Sequence, residues 1–199
     1  MSRNEYSRWI PELARGERLV AEGRLAEAIA LCDKMLKTQP DLAAALDLKG
    51  LCLLRQGRAP EAESFFRQAL KHLEGSGLIH SHLGAALERL EKPQQALEAY
   101  EKAIRFEKSC AAGWFGRGRI RMFHLCDEIG SLKDLVRAVE LDPKDPEIWF
   151  NLGLCRLGTQ EIEAAQRDFK EALKLNPGLK DRVDKAMLDY MEAADLPEA

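Results

Sequence analysis

Residues 146–177 read PEIWFNLGLCRLGTQEIEAAQRDFKEALKLNP. The spaced residues in this stretch are a tryptophan, a leucine-glycine pair, two alanines on either side of a bulky ring, and a closing proline: Trp149, Leu152, Gly153, Ala165, Phe169, Ala172 and Pro177. The same order of residue types returns along most of the chain at a spacing of 34 residues.

The repeat divides the chain into five copies, at 9–42, 43–76, 77–110, 111–145 and 146–179. The eighth residue is glycine in every copy: Gly16, Gly50, Gly84, Gly118 and Gly153. Such a glycine lets two helices cross closely, because a side chain there would hold their backbones apart. In the third copy Ala96, Tyr100 and Ala103 recur at the four-then-three spacing of one helical face. The pattern predicts two helices in each copy and an all-α fold.

These residues and their spacing resemble the tetratricopeptide repeat family, and the resemblance covers nearly the whole chain. It implies a right-handed superhelical solenoid of helix-turn-helix repeats, in which the first helix of each repeat lines a concave groove. The family implies protein binding, so we expect an interaction scaffold or an adaptor of the co-chaperone kind. The expected partner is a protein or peptide held in that groove.

Several segments depart from the regular repeat. The first copy is irregular, as end repeats often are, and the fourth carries one extra residue between Phe123 and Asp127, which predicts a distorted turn. Residues 1–8 are expected to form a polar lead-in, and 196–199 a tail. Segment 180–195 places apolar residues at helical spacing, which predicts a capping helix over the fifth repeat.

Composition is that of an ordinary soluble protein, with 46% hydrophobic and 32% charged residues. The net charge of −3 gives no general attraction to nucleic acid or anionic membrane. The first eight residues lack the apolar core of a signal peptide, and no run is long enough for membrane insertion. Five scattered cysteines without a Cys-x-x-Cys pair predict reduced, mostly buried thiols. We therefore expect a cytoplasmic protein.

The family implies which positions of each repeat face the groove. Carried onto this sequence, they give a candidate partner-binding set: Arg55, Arg89, Phe115, Arg119, Met122, Phe123, Phe150, Asn151, Leu154 and Leu157. Its C-terminal part is rich in apolar residues, and a patch of that size on a soluble protein usually binds something. We expect it to take an amphipathic helix or an extended segment, with the three arginines meeting acidic side chains. Asn151 is expected to read the peptide backbone.

Two occupants of this groove are open at this point. One is a foreign partner, in which case Phe115→Glu with Phe150→Glu is expected to abolish capture without unfolding the chain. The other is the chain itself, through its own C-terminal helix or through a second copy in a homo-oligomer. The carboxylate clamp of chaperone-binding relatives is not expected, because its cationic positions hold residues such as Leu13, Glu17 and Ala85.

Other chemistry is weakly supported. Arg117, Arg119 and Arg121 do not form one basic face, since residues two apart on a helix point about 200° apart. Arg121 and Arg156 occupy a usually apolar position and are interpreted as partners of acids on a neighbouring helix. His80 and His82 diverge and make a poor metal pair. We expect no catalytic activity, no cofactor and no metal.

Overall fold

The computed structural model describes residues 8–194, and these residues form eleven α-helices and no strand. The predicted all-α fold is confirmed. The predicted tail at 196–199 and all but the end of the predicted lead-in lie outside the described residues. The chain divides into two compact units, at 1–108 and 109–199.

Unit 1 contains three helix pairs: α1 (Ile10–Ala21) with α2 (Leu25–Thr38), α3 (Ala43–Arg55) with α4 (Ala59–His72), and α5 (Gly77–Arg89) with α6 (Pro93–Phe106). The second helices bury one stripe at four-then-three spacing, and its members are fully buried in α2 and α4: Ala28, Cys32, Met35, Ala62, Phe66 and Ala69. The first helices α1, α3 and α5 also contact one another in that order. The core of unit 1 therefore lies between helix layers.

Unit 2 contains two helix pairs and an added helix: α7 (Ala111–His124) with α8 (Glu128–Leu141), α9 (Pro146–Gly158) with α10 (Ile162–Leu175), and α11 (Lys180–Ala194). A short 3-10 turn, Pro177–Leu179, leads into α11. The glycine of the opening motif allows close packing here, because a Cβ on Gly153 would lie 2.6 Å from the Phe169 ring. Helix α11 occupies the segment where the sequence predicts a capping helix.

The turn inside every repeat passes through one residue with a left-handed backbone. These residues occupy equivalent positions: Gly23, Gly57, Glu91, Cys126 and Gln160, with φ between 52° and 79°. Only two are glycine, the residue that adopts this conformation without steric cost. In four repeats a backbone N–H just beyond the end of the first helix donates a hydrogen bond to the carbonyl oxygen five residues earlier. In the fifth repeat, for example, Glu161 N donates to Arg156 O at 2.8 Å. This bond closes the first helix before the second begins.

The extra residue of the fourth repeat is accommodated in this turn. Helix α7 has 14 residues where α9 has 13. The closing bond runs from Asp127 N to Arg121 O at 3.0 Å, six residues back instead of five. The predicted distortion is therefore confirmed. All five cysteines are free thiols, and four of them are buried, as expected; the exposed one is Cys126, in this turn.

Candidate binding surfaces

The first helices of unit 1 present a face with two exposed rows. One row holds the second residue of each repeat, where Ile10 and Leu78 are 54% and 48% exposed. The other row lies eleven residues later and holds Arg55 and Arg89, both exposed in part or in full. Eleven residues make just over three full helical turns, so the two rows lie on the same side of each helix, about 16 Å apart. We call this surface the first-helix face of unit 1.

The two arginines of this face differ in what they contact. Arg55 donates through Nη1 to the carbonyl oxygen of Val20 at 3.0 Å, which satisfies an acceptor near the end of α1. Arg89 has no ion-pair partner among the residues that the structure describes. Neither arginine meets an acid within residues 8–194, and Arg89 also lacks the carbonyl bond that Arg55 makes.

We call the apolar C-terminal part of the predicted groove, in repeats 4 and 5, the C-terminal trough. The expectation that this trough is open is wrong for its central residues. Phe150 and Leu157 are each only 5% exposed, and Leu154 is half-buried, because α11 packs over α9 and α10. Phe115 and Met122 are half-buried against a cluster formed by α8 and α9. Phe123 is 56% exposed at the end of α7. Of these six apolar residues, two are therefore core residues of unit 2, three are half-buried against its clusters, and one is exposed.

Helix α11 covers this apolar face with both apolar and charged groups. Val183 is buried among Phe150, Leu157 and Phe169, and Met187 and Tyr190 pack against the same cluster. The guanidinium of Arg182 lies 4.2 Å from the centre of the Phe150 ring. It also donates two hydrogen bonds to the carboxylate of Glu147, at 2.5 and 3.0 Å. Helix α11 therefore covers the centre of this surface, at Phe150, Leu154 and Leu157.

Two other predicted groove residues are engaged inside unit 2. Asn151 is 5% exposed, and its Nδ2 donates to the carbonyl oxygen of Glu147 in the same helix at 2.8 Å. The expectation that Asn151 reads a partner's backbone is wrong, because its amide is buried and used locally. Arg119 is half-buried, with its guanidinium 5.5 Å from the centre of the Phe115 ring.

Comparison with known proteins decides the family. A family model described as the Psidin N-terminal TPR repeats region matches residues 18–112, and a tetratricopeptide repeat model matches 146–179. Together these matches cover more than half of the chain. The chain belongs to the tetratricopeptide repeat family.

Solved structures of tetratricopeptide proteins share this fold. TTC0263, a thermophilic TPR protein of Thermus thermophilus, aligns with a TM-score of 0.78 and 23% identity, over 89% of this chain and 98% of that one. YrrB, described as a TPR protein with an unusual peptide-binding site, aligns with a TM-score of 0.59 and 23% identity, over 94% and 92% of the two chains. At these identities the likeness concerns the fold alone.

A curated relative is much longer than this chain. The present chain is 25% identical over 118 residues to the protein O-mannosyl-transferase TMTC3 of Homo sapiens. The match covers 59% of this chain but 13% of that protein. Within residues 8–194, no three His, Cys, Asp or Glu side chains are grouped to hold a metal ion. No helix of that same span is long and apolar enough to cross a membrane.

The tetratricopeptide repeats of unit 2 contain buried ion pairs that those of unit 1 lack at the same positions. Asp134 of α8 is almost fully buried and accepts two hydrogen bonds from Arg117 at 2.8 Å and one from Arg121 at 2.9 Å. In the next repeat, Arg156 donates to both carboxylate oxygens of Asp168, at 2.8 and 2.7 Å. The interpretation of Arg121 and Arg156 as partners of acids on a neighbouring helix is confirmed.

The same two positions are apolar in the first three repeats. The residue pairs there are Leu19 with Leu31, Leu53 with Phe65, and Leu87 with Ala99. Arginine and aspartate therefore appear together, and each replaces an apolar residue of the same helix pair. A buried charge is tolerated only when its partner is also present, which accounts for the joint change.

Burial raises the pKa of Asp168 to about 6, and this effect outweighs the guanidinium of Arg156, which lowers the pKa. The folded state therefore binds a proton at Asp168 more tightly than the unfolded chain, whose aspartates titrate near about 3.9. The contribution of Asp168 to stability should fall as the pH rises from about 4 to about 6, by on the order of 2 kcal/mol.

This pH dependence can be measured against Asp168→Asn, which has no titrating group at the position. Urea unfolding of both proteins between pH 4 and 7 should show the wild type losing stability relative to the variant as the pH rises. A wild type that instead gains on the variant would mean that Arg156 dominates and that the pKa of Asp168 is lowered.

Proposed function

We propose that this tetratricopeptide protein is an interaction scaffold that binds a segment of a partner protein across the first-helix face of unit 1. The family and the fold support the general role of an interaction scaffold. The proposed surface lies outside the predicted C-terminal trough, because α11 covers Phe150, Leu154 and Leu157 at the centre of that trough.

The observation that carries the proposal is the pairing of Leu78 and Arg89 on one side of α5. Leu78 leaves nearly half of its surface in contact with water. Arg89 is exposed and has no acid partner within the described part of the chain. An exposed apolar side chain in line with an unpaired cation is a surface that an amphipathic segment complements.

The spacing of the two rows restricts the partner. A segment lying along α5 would place an apolar side chain near Leu78 and an acidic side chain about 16 Å away, near Arg89. Arg55 lies one repeat away in the same row and would meet a second acid with the part of its guanidinium that Val20 does not use. We therefore expect a partner segment that combines leucine-like and acidic residues at this separation.

The test is affinity capture with variants of the exposed residues. Leu78→Glu and Arg89→Glu should each abolish binding of a partner that the wild type retains. Leu78→Glu places a carboxylate against the partner's apolar side chain, and Arg89→Glu places a carboxylate against the partner's acidic side chain. Both residues are exposed, so stability should change by no more than about 0.5 kcal/mol. Ile129→Glu is the matched control, since Ile129 is 70% exposed but belongs to unit 2.

A partner that both Leu78→Glu and Arg89→Glu still retain would show that this face is not the binding surface. The measurement also separates the homo-oligomer from a foreign partner. If the retained protein is a second copy of the chain, the mass in solution should rise with concentration for the wild type and stay at one copy for Leu78→Glu.

A further inference from the structure

Helix α11 covers unit 2 with one side and leaves its other side exposed. On the inner side, Val183 and Met187 pack in the cluster of Phe150. On the outer side, Leu188 and Met191 are 54% and 59% exposed. A helix that only closes the end of a repeat array is polar on its outer side. The two large apolar side chains on the outside of α11 therefore need a further explanation.

The outer side of α11 also carries an acid in line with Leu188. Asp181 lies seven residues before Leu188, which places the two side chains within about 20° of each other around the helix axis. Asp181 is exposed and has no ion-pair partner within residues 8–194. Asp184 is on the same side but is paired with Lys180 at 2.7 Å, and Lys185 lies about 60° to the flank of Leu188. We call this surface the outer face of α11.

The spacing on the outer face of α11 matches that on the first-helix face of unit 1. On α5, Leu78 and Arg89 lie about 16 Å apart along the helix axis. On α11, Asp181 lies about 10 Å from Leu188 and about 15 Å from Met191 along the axis. With α11 of another copy antiparallel to α5, these two apolar side chains meet Leu78. Asp181 then lies within reach of the guanidinium of Arg89, which arginine carries at the end of a long apolar stem.

We propose that the first-helix face of unit 1 binds the outer face of α11 from a second copy of this chain. This inference rests on the proposed function, because it names the partner of that same face. The second copy meets both requirements of the face, since it brings apolar side chains to Leu78 and an unpaired acid to the unpaired cation of Arg89. Every copy carries both surfaces and is therefore receptor and ligand at once.

The first test is the mass of the full chain in solution, followed by analytical ultracentrifugation from micromolar to millimolar concentration. The wild type is expected to rise above the mass of one copy. Arg89→Glu and Asp181→Arg should each weaken association by at least about tenfold, because each sets two like charges against each other. Leu188→Glu should weaken it about fivefold or more, because the half-exposed leucine no longer loses its contact with water on association.

The decisive experiment mixes the Arg89→Glu and Asp181→Arg proteins in equal amounts. In the mixture, the introduced glutamate of one chain faces the introduced arginine of the other, and native Asp181 faces native Arg89. The mixture should therefore associate as the wild type does, although neither variant does so alone. Asp189→Arg is the matched control, because Asp189 is an exposed acid of α11 that lies about 80° around the axis from Asp181. This control should associate as the wild type does.

The inference is overturned if the wild type stays at one copy over the whole range, if the variants associate as the wild type does, or if the mixture does not associate. The helical circular dichroism signal of each variant shows that it is folded. If the wild type stays at one copy while Arg89→Glu loses a captured foreign partner, this inference fails and the proposed function stands. If neither association nor capture depends on Arg89, both fail.

Discussion

Replacement of Arg156 by leucine is expected to lower the free energy of unfolding of unit 2 by about 3–5 kcal/mol. Asp168 is only 3% exposed, and Arg156 donates to both of its carboxylate oxygens. Removal of the guanidinium leaves a buried carboxylate without its cation, and that cost exceeds the worth of the pair itself. Urea unfolding followed by circular dichroism measures the loss.

The matched variant is Arg156→Leu combined with Asp168→Leu, which reproduces the pair Leu19 and Leu31 of the first repeat. The double variant should be within about 1 kcal/mol of the wild type or more stable, because apolar replacements of buried ion pairs are often neutral or stabilising. The prediction is wrong if the two losses simply add, since the partners would then contribute independently. The cost of Arg156→Leu alone should also shrink near pH 5, where Asp168 is largely protonated.

Substitution of Phe150 by glutamate is expected to destabilise unit 2 by at least about 3–5 kcal/mol, the usual cost of losing a buried phenylalanine. Phe150 is 5% exposed, and its ring lies 5.7 Å from that of Phe169. The carboxylate of glutamate at this position would also be buried without a cation or hydrogen-bond donor placed to pair with it, which adds to the loss of stability. Thermal unfolding should show a clear fall in the melting temperature.

The control is Phe123→Glu, at a phenylalanine of the same unit that is 56% exposed. It should change the free energy of unfolding by no more than about 0.5 kcal/mol. If Phe150→Glu is equally mild, then α11 does not bury Phe150 in solution and the surface beneath it is open. If Phe150→Glu is strongly destabilising, as expected, a Phe150 variant that no longer binds a partner reports loss of the fold rather than loss of a binding surface.

The sequence predicts the repeats well because their signals are local. The glycine at each helix crossing and the small residues on the second helices act through backbone packing, which is the same in every copy. Even the distorted turn near Cys126 can be predicted, since one extra residue must be accommodated where the first helix ends and the second begins.

Burial of the predicted groove residues could not be predicted in the same way. A phenylalanine at position 150 has the same sequence signal whether a partner or α11 covers it. The coverage depends on where α11 packs, and that is fixed by long-range apolar contacts such as those of Val183 in the cluster of Phe150 and Phe169. For the same reason Asn151 resembles a groove residue in sequence while its amide bonds its own helix.

The buried ion pairs of unit 2 also set where this protein can be cut and rejoined. Each pair lies inside one repeat: Arg121 and Asp134 join α7 to α8, and Arg156 and Asp168 join α9 to α10. A duplication, transplant or permutation that starts between repeats carries both charges together. A rearrangement that starts between the two helices of a repeat separates the two charges. The arginine then packs against an apolar residue such as leucine, or the aspartate packs against an apolar neighbour. Genetic rearrangement of this chain is therefore constrained to move these helices two at a time.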